Sequence, residues 1–312
     1  MLSRIADSMF WLNRYIERAD GLLRTIRTHY ILMLDKGVNQ TLSWKKVLDI
    51  YTFLSEEEKL AIEYNSEAVL KYIMFNTQNS NSLKVILTRA RENARGVQDH
   101  ITKEVWEQVN QIYHLVNQCS VDFKEVNALE NIDALTKECI LFNGVADTTM
   151  PRGMSWNFMS LGRYIERCLL TIEMSVHYFE GIDYDIENER DILYWRPLLL
   201  SLSGYELHLK YYNSNNTNKN ALHQVLFNIT FTRSVIYNLI QVEKYFKDVI
   251  KNNKAVETEP VMTRRLGRVI SNIQFTEFES LNKTTLHPFL IDTRKELEAF
   301  SYSLAKQFFS YS

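Results

Sequence analysis

Arg14-Tyr15-Ile16-Glu17-Arg18 occurs again, letter for letter, as Arg163-Tyr164-Ile165-Glu166-Arg167, 149 positions later in a chain of 312. Successive residues on a helix turn by about 100°. Arg14 and Arg18 are then neighbours, and Arg14 and Glu17 are within pairing range. Around the first copy, Ile5, Met9, Leu12, Ile16, Leu23, Ile26 and Tyr30 recur every three or four positions. That periodicity predicts one long helix from Ser3, its N-cap, to about Leu34, with Gly37 as a stop signal. Around the second copy, Trp156, Phe158, Met159, Leu161, Ile165, Leu169, Leu170, Ile172, Met174 and Val176 make residues 155–180 apolar on nearly every side. A helix of that kind belongs in the middle of a fold.

The remaining chain reads the same way. Helices are predicted over about 42–54, from a Ser55 cap followed by three glutamates, over 67–76, from a Ser82 cap to 101, and over 102–118. Further helices are predicted over 132–147, 190–212, 219–229, 232–250, 261–282 and 289–311. Polar breaks fall at 76–81 and 213–218, an acidic linker at 181–189 and a charged one at 251–259, while 119–131 is mixed. With only 9 Gly and 4 Pro and no period-2 run, the fold class is all-α.

The pentapeptide is part of a longer repeat. Trp44 and Trp195 lie 151 apart, and Phe75-Asn76 and Phe227-Asn228 lie 152 apart, each shortly before a serine (Ser82, Ser234) that opens a long helix. Two diverged copies of one multi-helix unit, 1–149 and 150–312, account for these drifting offsets. A pair is too few for a solenoid, so the copies are expected to pack together as one compact, pseudo-symmetric helical bundle.

Composition narrows the function classes. The net charge of −2 supplies no global basic field, so neither nucleic acid nor an anionic membrane is an expected partner. No apolar run approaches the ~18 residues of a spanning helix, and the N-terminus, with Arg4, Asp7, Arg14 and Glu17, lacks the apolar core of a signal peptide. The expected compartment is the cytoplasm. Cys119, Cys139 and Cys168 are widely spaced and read as reduced core thiols. The seven histidines include no HExxH pair, the acids 183, 185, 187 and 189 lack a calcium-loop pattern, and nucleotide-binding and GxSxG motifs are absent. No metal and no cofactor is predicted.

The charged pentapeptides therefore carry the functional question. Their apolar flanks imply partial burial, and buried charges persist only when paired. One reading is a reciprocal clamp in which Glu17 meets Arg167 and Glu166 meets Arg18, holding the copies together. The other is that four arginines (Arg14, Arg18, Arg163, Arg167) against two glutamates leave guanidinium donors for a carboxylate or phosphate. A glutamate beside two arginines has a lowered pKa and makes a poor general acid or base. Arg91 and Arg95 share a helix face at i,i+4, with a solvated face as the plain reading, and Trp106 reads as core between Glu104 and Glu107.

Beyond the pentapeptides, MLSRIADSMFWLNRYIERAD, Ser82-Leu83, Ala90-Arg91-Glu92-Asn93-Ala94-Arg95, Ile101, Glu104, Trp106, Glu107 and Met150-Pro151-Arg152 extend the pattern. With Trp156, Phe158 and Leu161 to Arg167, it resembles the bacterial alpha-E family, all-helical proteins with a recurrent Glu-Arg motif, over nearly the whole chain. The resemblance implies no established activity. It implies association with ATP-grasp ligase-like and transglutaminase-like proteins. The chain is accordingly expected to be a non-catalytic helical partner or substrate-holding subunit of a peptide-synthesis or peptide-modification system. An enzyme with an Arg/Glu pocket acting on an anionic substrate, and a purely structural scaffold, are the alternatives. The resemblance also adds Arg91, Glu92, Asn93 and Arg95 to the candidate site residues, alongside Glu104 and Trp106. Two departures stand out: Ser80-Asn81 where the family commonly has Pro-Arg, and Leu169 where the first copy has Asp20.

Overall fold

The computed structural model describes residues 3–35, 43–121, 123–212, 215–251 and 259–309. The Gly37 stop, the start of the helix expected at 42, residues 213–214 and nearly all of the 251–259 linker lie outside the described residues. Among the described residues there are fourteen α-helices and no strand, so the fold is all-α. The chain divides into two compact units, one of Trp11–Pro151 and one of Met1–Phe10 together with Arg152–Ser312.

The unit 11–151 holds most of α1 (Ser3–Asp35) and then α2 (Lys45–Tyr51), α3 (Glu56–Ile62), α4 (Ser66–Phe75), α5 (Leu83–Gly96), α6 (Lys103–Val121) and α7 (Ala128–Thr149). Each start has a local cause. Ser55 and Glu58 form a reciprocal capping box, Asn65 accepts from Ala68 N, and the fully buried Ser82 accepts from Val85 N at 3.4 Å. Helix α5 packs on α4 and α6, and α6 packs on α7. The apolar stripe of α1 is buried through Leu12, Ile16, Leu22, Leu23 and Ile26. Its polar flank reaches the neighbours: the Thr25 and Tyr51 hydroxyls lie 3.0 Å apart, and Tyr30 donates to the Glu125 carbonyl at 3.2 Å. Trp44 is fully buried, stands against His29, and donates its indole N–H to Ser66 Oγ at 3.2 Å.

The other unit holds α8 (Met154–Glu180), α9 (Ile192–Ser201), α10 (Tyr205–Tyr211), α11 (Thr217–Leu226), α12 (Val235–Lys251), α13 (Glu259–Gln274) and α14 (Leu286–Phe308). As its composition predicts, α8 is the hub of this unit, packing on α9, α11, α12 and α14. Phe158 meets Phe308 and Phe309, and Phe10 meets Phe309 at 5.1 Å, which ties the first residues of the chain to its end. Trp195 is fully buried against Phe179 and donates to Asn218 Oδ1 at 2.8 Å. Ser234 accepts from Tyr237 N at 3.1 Å and so caps α12.

Several boundaries differ from expectation for identifiable reasons. The single helix expected over 190–212 is two, α9 and α10. Ser203 adopts φ 55°, Ser203 N–H donates to Leu200 O and Gly204 N–H to Leu199 O, a Schellman stop that closes α9. Pro197 does not end α9, which runs through it. The helix expected over 261–282 stops at Gln274 and is followed by a 3₁₀ turn at Phe278–Ser280. The one expected to reach 101 stops at Gly96 before a 3₁₀ turn at Gln98–His100. Pro288 lies inside the first turn of α14, where its missing N–H has no partner to lose, and the helix begins at Leu286 instead of 289.

Candidate functional site

The two Glu-Arg segments are the most charge-dense stretches of their helices, and both are buried. On α1, Arg14 is 9% exposed and Glu17 only 1%, with Arg18 half-buried. The guanidinium of Arg14 lies 4.6 Å from the Trp11 ring centroid, one helical turn earlier, and that of Arg18 lies 6.0 Å from Tyr15. Arg18 Nη1 also donates to Asn81 Oδ1 at 3.3 Å. Asn81 thus supplies an acceptor to the motif. Its own N–H is held by Asn79 Oδ1 at 3.0 Å. One turn beyond Glu17, the buried Asp20 takes Arg24 Nε on both oxygens, at 3.0 and 2.9 Å. Leu169, 149 positions after Asp20, is half-buried and brings no charge.

On α8, Glu166 is 6% and Arg167 7% exposed, while Arg163 is half-buried. The guanidinium carbons of Arg163 and Arg167 stand 5.8 and 5.7 Å from the Tyr164 ring, which stacks on Tyr245 at 5.7 Å. Burial pushes the Tyr164 phenol up from its ordinary range, so it remains protonated. The backbone just past the motif is fixed to the start of α12. Thr171 Oγ1 donates to the Arg233 carbonyl at 2.8 Å, and the Cys168 thiol reaches the Val235 carbonyl at 3.8 Å.

The second set of candidates separates. Glu92, Arg95 and Glu104 are exposed, and Asn93 is half-buried with its amide donating to the Arg89 carbonyl at 2.9 Å. A solvated face describes Glu92 and Arg95. It does not describe Arg91. That guanidinium lies 4.6 Å from the Tyr113 ring and 5.7 Å from Trp106, and its Nε donates to Asn110 Oδ1 at 2.7 Å. Asn110 is held in turn by donating Nδ2 to the Trp106 carbonyl at 3.1 Å. Trp106 is not core, contrary to expectation. It is half-buried beside Arg91, and Val105, Gln108, Val109 and Ile112 fill the buried face of α6 instead. Asn110 and Tyr113 had no signal of their own in the sequence, although their spacing of four and seven from Trp106 puts all three on one side of α6.

The residues set aside from the sequence behave as follows. Cys119, Cys139 and Cys168 are free and buried; burial pushes all three thiols up, Cys139 and Cys168 most, which makes them inert. Asp183 pairs with Lys283, and Glu187 with Lys219 at 2.8 Å, so two of the linker acids are ion-paired where plain solvation was expected. Among the described residues no group of His, Cys, Asp and Glu is arranged to hold a metal, and no helix is long and apolar enough to cross a membrane.

A family model described as Alpha-E, a predicted alpha-helical domain with a conserved ER motif, matches residues 1–309. No curated protein and no solved structure matches the chain.

Proposed function

The chain belongs to the Alpha-E family, and from that premise we propose that it is a non-catalytic, substrate-holding partner of an ATP-grasp-type peptide-synthesis or peptide-modification system. In this reading it works in the cytoplasm, beside an ATP-grasp ligase-like protein and a transglutaminase-like protein. Its task there is to hold an anionic group, a peptide carboxylate or a small anion, while a partner does the chemistry. The observation that carries the reading is Arg91. Its ring-facing plane rests on Tyr113, its Nε is engaged by Asn110, and among the described residues no acceptor meets its two terminal nitrogens. A guanidinium fixed on one edge and one face presents the other edge as a ready fork for a carboxylate, with little side-chain entropy left to lose. The Glu-Arg segments support the same reading from the structural side. They are buried and aromatic-backed on α1 and on α8, the hub of its unit.

We also read the chain as two diverged copies of one seven-helix unit. Several features recur at matching places. Trp44, at the start of α2, and Trp195, in α9, are both fully buried and both donate to the first turn of the next helix but one, at Ser66 of α4 and Asn218 of α11. Ser82 and Ser234 both cap a long helix, and their N–H groups donate 2.9 Å bonds to the carbonyls of Asn79 and Phe231.

Titration calorimetry of the full chain with a short peptide carrying acidic side chains and a free carboxylate tests the holding role. Binding should weaken about tenfold in Arg91→Lys, which keeps the charge and loses the fork, a loss of roughly 1.4 kcal/mol. An ATP-grasp ligase-like protein from the same cell should be retained by the tagged chain. Absence of any complex at micromolar concentrations, with the peptide bound equally by wild type and Arg91→Lys, overturns the proposal.

A further inference from the structure

A second place in the molecule is built like a binding site and uses none of the Glu-Arg residues. It is a cavity of about 980 Å³ beside α9, α10 and the start of α11, in the unit that contains α8. Among the described lining residues His208 is the most deeply buried polar side chain, 3% exposed and stacked on the Tyr212 ring at 5.0 Å.

The state of His208 follows from a chain of hydrogen bonds. Gln224 is fully buried, and its Nε2 donates to the Gly204 carbonyl at 2.7 Å. That donation fixes which way the amide points, so the atom 2.7 Å from His208 Nδ1 is the carbonyl oxygen Oε1, an acceptor only. Nδ1 must therefore carry the hydrogen, and Nε2 is left as a bare acceptor. The neighbouring tyrosine is fixed by the same logic. Asn228 Oδ1 accepts from Thr230 N and Phe231 N, so its Nδ2 donates to the Tyr212 oxygen at 3.0 Å and sets one edge of the cavity wall. Burial holds the His208 pKa below its ordinary value, so the ring stays neutral near pH 7 and Nε2 stays an acceptor.

The rest of the lining has a definite chemistry. Ile192, Leu209 and the Tyr212 ring form an apolar wall. Glu189 and Asp191 stand at the rim with Arg190 between them, leaving one net negative charge from the three. Asp191 caps α9, accepting from Leu193 N, and Glu189 accepts weakly from Asn218 N at 3.4 Å. A deep neutral acceptor, an apolar wall and a negative rim complement one kind of small molecule.

We propose that this cavity binds a small organic cation, an ammonium or guanidinium group on an apolar body, with one of its N–H groups donating to His208 Nε2. An anionic ligand would meet two carboxylates against a single guanidinium, and an imidazole with no proton to give. The site is independent of Arg91, and its success or failure leaves the proposed anion-holding role untouched.

The test is a titration of the full chain, labelled with nitrogen-15 at histidine, with benzylamine and with benzoate. In the free protein the His208 signals should report the Nδ1–H tautomer. Benzylamine should move the Nε2 resonance and bind at least tenfold more tightly than benzoate. Asp191→Asn keeps the α9 cap, because Asn caps as well as Asp, and removes the rim charge. It should weaken benzylamine several-fold with an unchanged melting curve. His208→Phe, which keeps the stacking on Tyr212, should lose at least tenfold. An Nε2–H tautomer in the free protein, equal binding of benzoate, or a His208 signal unmoved by millimolar benzylamine overturns the proposal.

Discussion

His29 lies against Trp44 with ring centroids 4.4 Å apart and 47° between the planes. In the other unit, Phe179 meets Trp195 in nearly the same way, at 4.5 Å and 41°. The imidazole thus occupies a place that a phenyl ring fills elsewhere in the chain, and burial together with the nearby Lys46 brings its pKa down to about 4 from 6.5. Above pH 6.5 the ring is neutral both folded and unfolded, and stability is at its full value. As pH falls from 6.5 towards 4, the unfolded chain takes up a proton that the folded chain refuses, and stability is lost. After allowance for partial exposure the loss is about 2 kcal/mol. Denaturant melts at pH 7 and pH 4.5 should show it, and His29→Phe should remove most of the difference. An unchanged pH dependence in that variant would rule His29 out as its source.

Glu17 is a carboxylate with 1% exposure, and a charge so enclosed persists only with compensating partners. Glu17→Ala removes the carboxylate and leaves its buried partners uncompensated, which should cost about 3–5 kcal/mol and for a unit of this size lower the melting temperature by roughly 10 °C. Glu17→Gln retains the shape and part of the hydrogen bonding and should cost less. Thermal melts of Glu17→Ala within a degree or two of wild type would remove the structural role altogether.

Gly204 closes the Schellman stop between α9 and α10, and its φ of −111° is ordinary for any residue. What it cannot accept is volume. A Cβ there would lie 2.5 Å from Gln224 Nε2 and 2.7 Å from the Phe231 ring. Both neighbours are buried, so Gly204→Ala should destabilise by about 1–3 kcal/mol. Because Gln224 sets the hydrogen on His208, the same variant should also shift the His208 ring-nitrogen resonances. Normal stability with an unshifted His208 would show that this turn gives way easily.

The three thiols provide a chemical check on the core. Cys139 and Cys168 have no exposed surface, and burial holds both thiols protonated. In native buffer a thiol reagent should modify at most Cys119, and the other two should react only as fast as the chain opens. Rapid labelling of Cys168 without denaturant would contradict the packing of α8 on α12.

How much was legible in the sequence differs by level. The long amphipathic helices were legible because periodicity reports which face is buried, and α8 was legible as a hub from its all-round apolar character. The break at Ser203 was not, because a left-handed serine before a glycine looks like any short polar pair inside an apolar run. At the site level, burial of Glu17 and Glu166 followed from their apolar flanks. The role of Trp106 did not, since nothing in Glu-Val-Trp-Glu says that Val105 turns inward and Trp106 turns toward Arg91. His208 carried no signal at all. Its character depends on Gln224, sixteen residues on, and on which end of an amide a glycine carbonyl holds.

The division of α1 between two units has a consequence for synthesis. Trp11–Pro151 leaves the ribosome complete and can fold while translation continues, whereas Met1–Phe10 belongs with residues made after it. At about 5–20 residues per second, the stretch from 152 to 312 takes roughly 10 to 30 s to appear. Through that interval Met9 and Phe10, buried in the finished protein, are without the aromatic cluster that Phe309 completes. Met9 and Phe10 are made before Trp11–Pro151 yet find their place after it, and a nascent chain paused short of Phe309 would display them.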